Sequence, residues 1–141
     1  MNLDDLYSAF VVRMMKNENI QSLAGDPVNA YKGSSRPNGY TNPSFTVHSP
    51  DLIVEPDTTA ANGTIFINAY VDNFKSGNAN TELLGDILKE IKDEFNDRPL
   101  EINGYNNFNL AVTNLRGPLY DSSDPDEHFG SVMLNINIVK S

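Results

Sequence analysis

The stretch TIFINAYVDNFKSGNANTELLGDILKEIKDEF, Thr64 to Phe95, changes its hydrophobic period halfway along, and that change decides the fold. From Thr64 to Asp72 the side chains alternate. Ile65, Ile67, Ala69 and Val71 point one way, while Phe66, Asn68 and Tyr70 point the other. β-Branched and aromatic residues suit a pleated strand, and this one is apolar on both faces for much of its length. It is therefore central in its sheet, or its outer face meets another subunit. After the polar link 73–80 the period becomes helical. Leu84, Ile87, Leu88, Ile91 and Phe95 recur at steps of three and four, with Asp86, Lys89, Glu90, Asp93 and Glu94 on the opposite side. Asn80 or Thr81 can cap this helix, and Pro99 forbids its continuation.

The rest of the chain supports a strand-and-helix sandwich. Leu3, Leu6, Tyr7, Phe10 and Met14 form one face of a helix over residues 3–16, with Asp4 and Asp5 at its positive end. From Ser22 to Ser44 no period survives, and prolines and glycines predict a long irregular segment, read as a flexible arm or loop over about 22–44. Short strands follow at Phe45–His48 and Leu52–Glu55, broken by Pro50, and Asn62-Gly63 reads as a turn. Phe108, Leu110 and Val112 alternate in another strand. Val132, Leu134, Ile136 and Ile138 alternate in a last, half-buried antiparallel one. The expected fold is one α+β domain spanning 1–141. It is a mostly antiparallel sheet with two amphipathic helices packed on one face and long irregular loops.

Composition narrows the function. The 141 residues suit a single domain that buries roughly two thirds of its unfolded surface, so it needs no staples. There is no cysteine, which removes disulfides, thiolate metal sites and a cysteine nucleophile. Nineteen acidic against ten basic residues give a net charge of −9, which repels phosphate backbones and argues against tight nucleic-acid binding. The N-terminus MNLDDLYSAF carries no export signal, and no run approaches the ~20 apolar residues that span a bilayer, so no membrane partner is expected.

One segment invites a catalytic or metal reading. YDSSDPDEHFG, Tyr120 to Gly130, gathers Asp121, Asp124, Asp126, Glu127 and His128 between two expected strands. Taken from Asp124, an EF-hand register puts His128 at the fifth position and Phe129 where the sixth must be glycine, so it fails. Zinc wants three protein ligands, and the other histidine, His48, stands on a separate strand without a motif. Asp121, Asp124, Asp126 and His128 remain weak metal candidates. The favoured reading is an exposed connection, opened by Gly117-Pro118, because aspartate, serine and proline are common loop residues. Glu90 and Glu94, one helical turn apart with Lys89 and Lys92 interleaved, read as a solvated charged face. Nucleophile elbows, metalloprotease helices and phosphate-binding glycine loops are all missing from the sequence. No catalytic residue and no cofactor are assigned, and the chain is not read as an enzyme.

The run GTIFINAYVDNFKSGNANTELLGDILKEIKDEF resembles a recurring pattern of the tail-terminator, or head–tail joining, proteins of long-tailed bacteriophages. There too a strand, a short polar link and an amphipathic helix follow one another. AVTNLRGPLYDSSDPDEHFGSVMLNINI is similar to the C-terminal half of that family, and LDDLYSAFVVRMM to its first helix. The resemblance covers most of the chain by element order and rests on patterning; residues 22–62 carry little of it. It implies a virion protein, assembled in the host cytoplasm, that forms a ring of six subunits. Such a ring caps the finished tail tube and meets neck or head-completion proteins while DNA passes through its lumen unbound. A ring of this kind needs two different surfaces per subunit. Arm residues Tyr31, Arg36 and Tyr40, the outer-face residues Phe66 and Tyr70, and Phe74 in the 73–80 loop are the interface candidates.

Three alternatives stand beside this. The first is a neck or head-completion protein, or the cap of an injection device, with the same fold. The second is a metal-dependent hydrolase built on the 121–128 loop, which requires saturable divalent-ion binding. The third is a monomeric module whose 22–44 loop takes a ligand.

Overall fold

In the computed structural model, described for residues 3–51, 53–55, 60–96, 98–100, 102, 107–120 and 125–139, three helices cover one face of a six-stranded sheet. The elements in order are α1 (Leu3–Lys16), α2 (Glu18–Ala24), β1 (Asn29–Lys32), β2 (Ser44–His48), β3 (Ile53–Glu55), β4 (Ala60–Asp72), α3 (Thr81–Phe95), β5 (Asn107–Tyr120) and β6 (Glu127–Val139). The sheet runs β1-β2-β4-β6-β5, and β3 continues the edge of β4 beyond β2. All pairs are antiparallel except β1 with β2.

Alternation decides the layers. Ile65, Ile67, Ala69 and Val71 of β4 are fully buried, and register places them beside Leu134, Val132, Gly130 and His128 of β6. The helices contribute Leu6, Phe10 and Met14 from α1, Ile20 and Ala24 from α2, and the whole expected stripe of α3 to the same cluster. The rings of Phe10 and Phe95 meet at 5.1 Å. Burying a phenylalanine or leucine side chain contributes about 1.5–3 kcal/mol, which is why two amphipathic stripes and one alternating strand suffice to organise the domain.

Where α3 crosses β6, the backbone comes so close that a Cβ on Gly130 would lie 2.6 Å from Leu88 Cδ1 and 3.0 Å from the Arg116 carbonyl. Arg13 ties α1 to α3: its Nε donates to Glu94 Oε1 at 2.9 Å, and its Nη2 and Nη1 donate to the carbonyls of Glu94 and Pro99. Asn17 donates to the other Glu94 oxygen, and Asn19 to Glu90. The two glutamates read as a solvated face are thus tethers between helices.

Other departures have local causes. The stretch from Ser22 to Ser44 is not irregular throughout. It holds the end of α2, capped by Asn17 and terminated at Gly25 with φ 98°, and then the short strand β1. Asn62-Gly63 forms no turn. It lies inside β4, facing Asn137 and Ile136, because pairing with the long β6 outweighs local turn chemistry. Likewise β5 runs on through Gly117 and Pro118 to Tyr120, with two shifts of register, and β6 already begins at Glu127. Glu127 and His128 are therefore strand residues, and the connection read as Gly117 to Gly130 is shorter. The sequence LEING before Phe108 also reads as a short strand entering an Asn-Gly turn, and it falls largely outside the described residues.

Candidate functional site

The helix-free face of the sheet carries the side chains that the core does not use. Rows of residues cross it from strand to strand: Ser44, Tyr70 and Phe129; then Thr46, Asn68 and Ser131; then His48, Phe66 and Met133. Tyr70 stacks on Phe129 at 5.3 Å, and Phe66 stacks on His48 at 5.5 Å. Two aromatic ridges thus flank a polar floor. The hydroxyls of Thr46 and Ser131 and the Nδ1 of His48 are buried without a hydrogen-bond partner among the described residues. Burial holds His48 below its ordinary value, towards the neutral ring. Farther along, Asn62, Thr64, Ala111, Asn135 and Asn137 line a shallow groove of about 460 Å³.

One end of this face is closed by a clamp. The chain after β1 folds back so that Arg36 lies between two phenol rings, 3.9 Å above Tyr40 and 3.6 Å above Tyr70. Its guanidinium donates through both terminal nitrogens to Glu127, Nη1 to Oε2 at 2.9 Å and Nη2 to Oε1. Asn42 adds a bond to Glu127 Oε2 at 2.7 Å and another to Asp72 Oδ1 at 2.8 Å. Ser44 Oγ donates to Asn42 Oδ1. The Glu127 side chain is only 3% exposed. Burial works against the charge on Arg36, yet the hydrogen bond and the charge of Glu127 outweigh it and raise the guanidinium above its ordinary value. Both Glu127 oxygens are held by Arg36 and Asn42, and Asn42 is itself fixed by Ser44 and Asp72. The chemistry of this cluster is that of a fastening.

The interface candidates divide accordingly. Arg36, Tyr40 and Tyr70 come together, in contact with one another in the clamp. Tyr31 pairs in register with Thr46, and Phe66 stands in the next row. Phe74 is apart from them, 54% exposed in the link after β4. Sequence reasoning named Arg36 and Tyr70 but missed Glu127 and Asn42, which complete the cluster. The sequence places Glu127 only in the acidic segment, and no local signal marks it as the partner of Arg36, 91 positions away.

Of the acidic candidates, Asp121 and Asp124 lie outside the described residues. Asp126 is exposed, and its carbonyl accepts from the Asn73 backbone at 2.8 Å. His128 Nδ1 lies 2.6 Å from Asn73 Oδ1, and its ring tilts against Tyr120 at 5.4 Å. An amide oxygen only accepts, so Nδ1 carries a proton there and is closed to a metal. Among the described residues no three acidic, histidine or cysteine side chains converge on an ion, and no helix is long and apolar enough to cross a membrane.

The molecule is thus a small α+β domain whose sheet has one face sealed by helices and the other fastened at one end and bare at the other. No family model and no curated protein matches its sequence. A chain in the solved structure of a native gene transfer agent particle's virion has the same fold. It superposes with a TM-score of 0.72 at 11% identity, over 95% of this chain and 94% of that one.

Proposed function

We propose that this chain is a structural protein of a phage-like particle. In this reading it forms a ring, of six subunits, that caps the completed tail tube and joins it to the neck. The single observation that carries the reading is the likeness of the whole chain, end to end, to a chain of an assembled virion. The order of elements that resembles tail-terminator proteins supports it from the sequence side. The net charge fits a passage for DNA, because a negative lumen lets a polyanion slide without holding it. Tyr31, Phe66 and Phe74 are the side chains offered to neighbours; Arg36, Tyr40 and Tyr70 fasten the 33–43 segment that borders them. The role is assembly in the virion, with no catalytic step.

Tail tubes of the particle this chain belongs to provide the test. Added to growing tubes, the protein should bind at one end only and stop elongation there. Binding to the head-proximal neck without any effect on tube length would instead make it a neck protein of the same fold. Binding to neither would overturn the proposal.

A further inference from the structure

The geometry points to the contact that closes the ring: the outer stripe of α1 in one copy lies across the open sheet face of the next. This rests on the ring reading and adds to it the two surfaces that meet. A closed ring needs two different patches per subunit, facing apart. The described residues offer such a pair. On the helix side, Val12 and Met15 are 45% and 38% exposed on α1, one and two turns beyond Ser8, whose hydroxyl Lys32 of β1 reaches at 3.2 Å. On the opposite side lies the aromatic face built on Phe66, Phe129 and Met133.

Charge favours this pairing over an unrelated partner. Two copies that each carry −9 repel wherever acidic surfaces meet. Among the described residues, the charges on the open face lie at its edges. Arg36 is paired with Glu127 in the clamp over Tyr70, and Asp72 stands at the clamp end. Asp51 accepts from the Thr64 backbone at the edge of β4, and Arg116 stands on the edge strand. Between Asp5 and Lys16 the only charged residue of α1 is Arg13, which is turned away to Glu94, and Lys32 reaches the strip at Ser8. Eleven residues of helix separate those two, about 16 Å. Four residues along the strands and two strand spacings separate Asp72 from Arg116, also about 16 Å. Laid antiparallel to that diagonal, the strip sets Lys16 against Asp72 and Asp5 against Arg116. Its apolar middle then meets the aromatic ridges. Ser8, which accepts from Lys32 Nζ and keeps its own proton to donate, comes toward the Ser131 row, whose hydroxyl has no partner among the described residues. An uncharged, aromatic- and methionine-rich centre with opposite charges at its rim is the usual composition of a subunit contact.

Light scattering on two variants of the full chain, Val12→Glu and Phe66→Glu, decides the matter. Each should lose ring formation and run as a monomer. Mixed in equal amounts they should give a one-to-one dimer, because each retains the surface the other has lost and neither can propagate. Should Phe66→Glu fail to fold, the exposed Arg116→Glu replaces it; its weakened assembly should be restored by Asp5→Arg in the same chain. If Phe66→Glu alone abolishes assembly and Val12→Glu leaves it intact, the sheet face meets something other than α1 and the inference is wrong. If both variants form rings like the parent, the inference falls while the ring reading stands. A parent chain that never self-associates removes both.

Discussion

The two faces of the sheet are made from one set of strands and obey different rules. The helix side is apolar, aliphatic residues packed with Phe10, Phe45 and Phe95, and is filled largely by residues whose spacing announces them. The open side is aromatic, amide- and hydroxyl-rich, and only its clamp end is closed. The comparison teaches that the fold depends on one face and leaves the other to be used. Ile65 and Phe66 are neighbours in the chain, yet the first belongs to the core and the second to the surface that the proposed assembly uses.

Substitutions on the two faces should therefore separate stability from association. The largest loss is expected inside the core: Phe10→Ala removes a ring packed on Phe95 and should cost about 3–5 kcal/mol, read as a lowered denaturant midpoint. Next comes the clamp. Arg36→Ala leaves Glu127 buried without its cation, and a loss of roughly 3 kcal/mol is expected; adding Glu127→Ala should cost much less than a second such loss. A full second loss would show that the two side chains are not a coupled pair. Gly130→Val drives a side chain into Leu88 and should cost about 1–3 kcal/mol, with Leu88→Ala in the same chain recovering part of it. Phe66→Ser on the open face should change stability by about 1 kcal/mol or less while reducing assembly.

The smallest effect is a dependence on pH. His48 is held below the ordinary histidine value in the folded chain, so between about pH 6.5 and its lowered folded value the unfolded chain binds more protons. Stability contributed by the neutral ring is present above that window and declines as pH falls through it. His48→Gln should flatten the slope there; an unchanged slope would remove His48 as its source.

Legibility in the sequence followed the same division. α1, α3 and the two faces of β4 were readable because each repeats its period over two or more turns or four alternations. α2 and β1 were not: seven and four residues are too few to show a period, and β1 exists by pairing with β2 across an intervening loop. Asn62-Gly63 and Gly117-Pro118 misled for a shared reason. Each has turn chemistry, but Asn62-Gly63 pairs with β6 directly, and Gly117-Pro118 is taken up as a shift of register between Arg116 and Leu119, after which β5 rejoins β6. The clamp was beyond reach, since Arg36 and Glu127 stand 91 positions apart and nothing local marks Glu127 as buried. Reading 120–130 as one acidic loop missed that Glu127 already belongs to β6, where the clamp buries it.

Self-assembly through the face that the fold does not need is the central claim. Its most direct test is the mass of the purified chain by light scattering over a concentration series, with images of the heaviest species. Closed rings of six subunits, lost in Phe66→Glu while that variant remains folded, are the predicted result. A monomer at every concentration, or rings that form undiminished in Phe66→Glu, would contradict it.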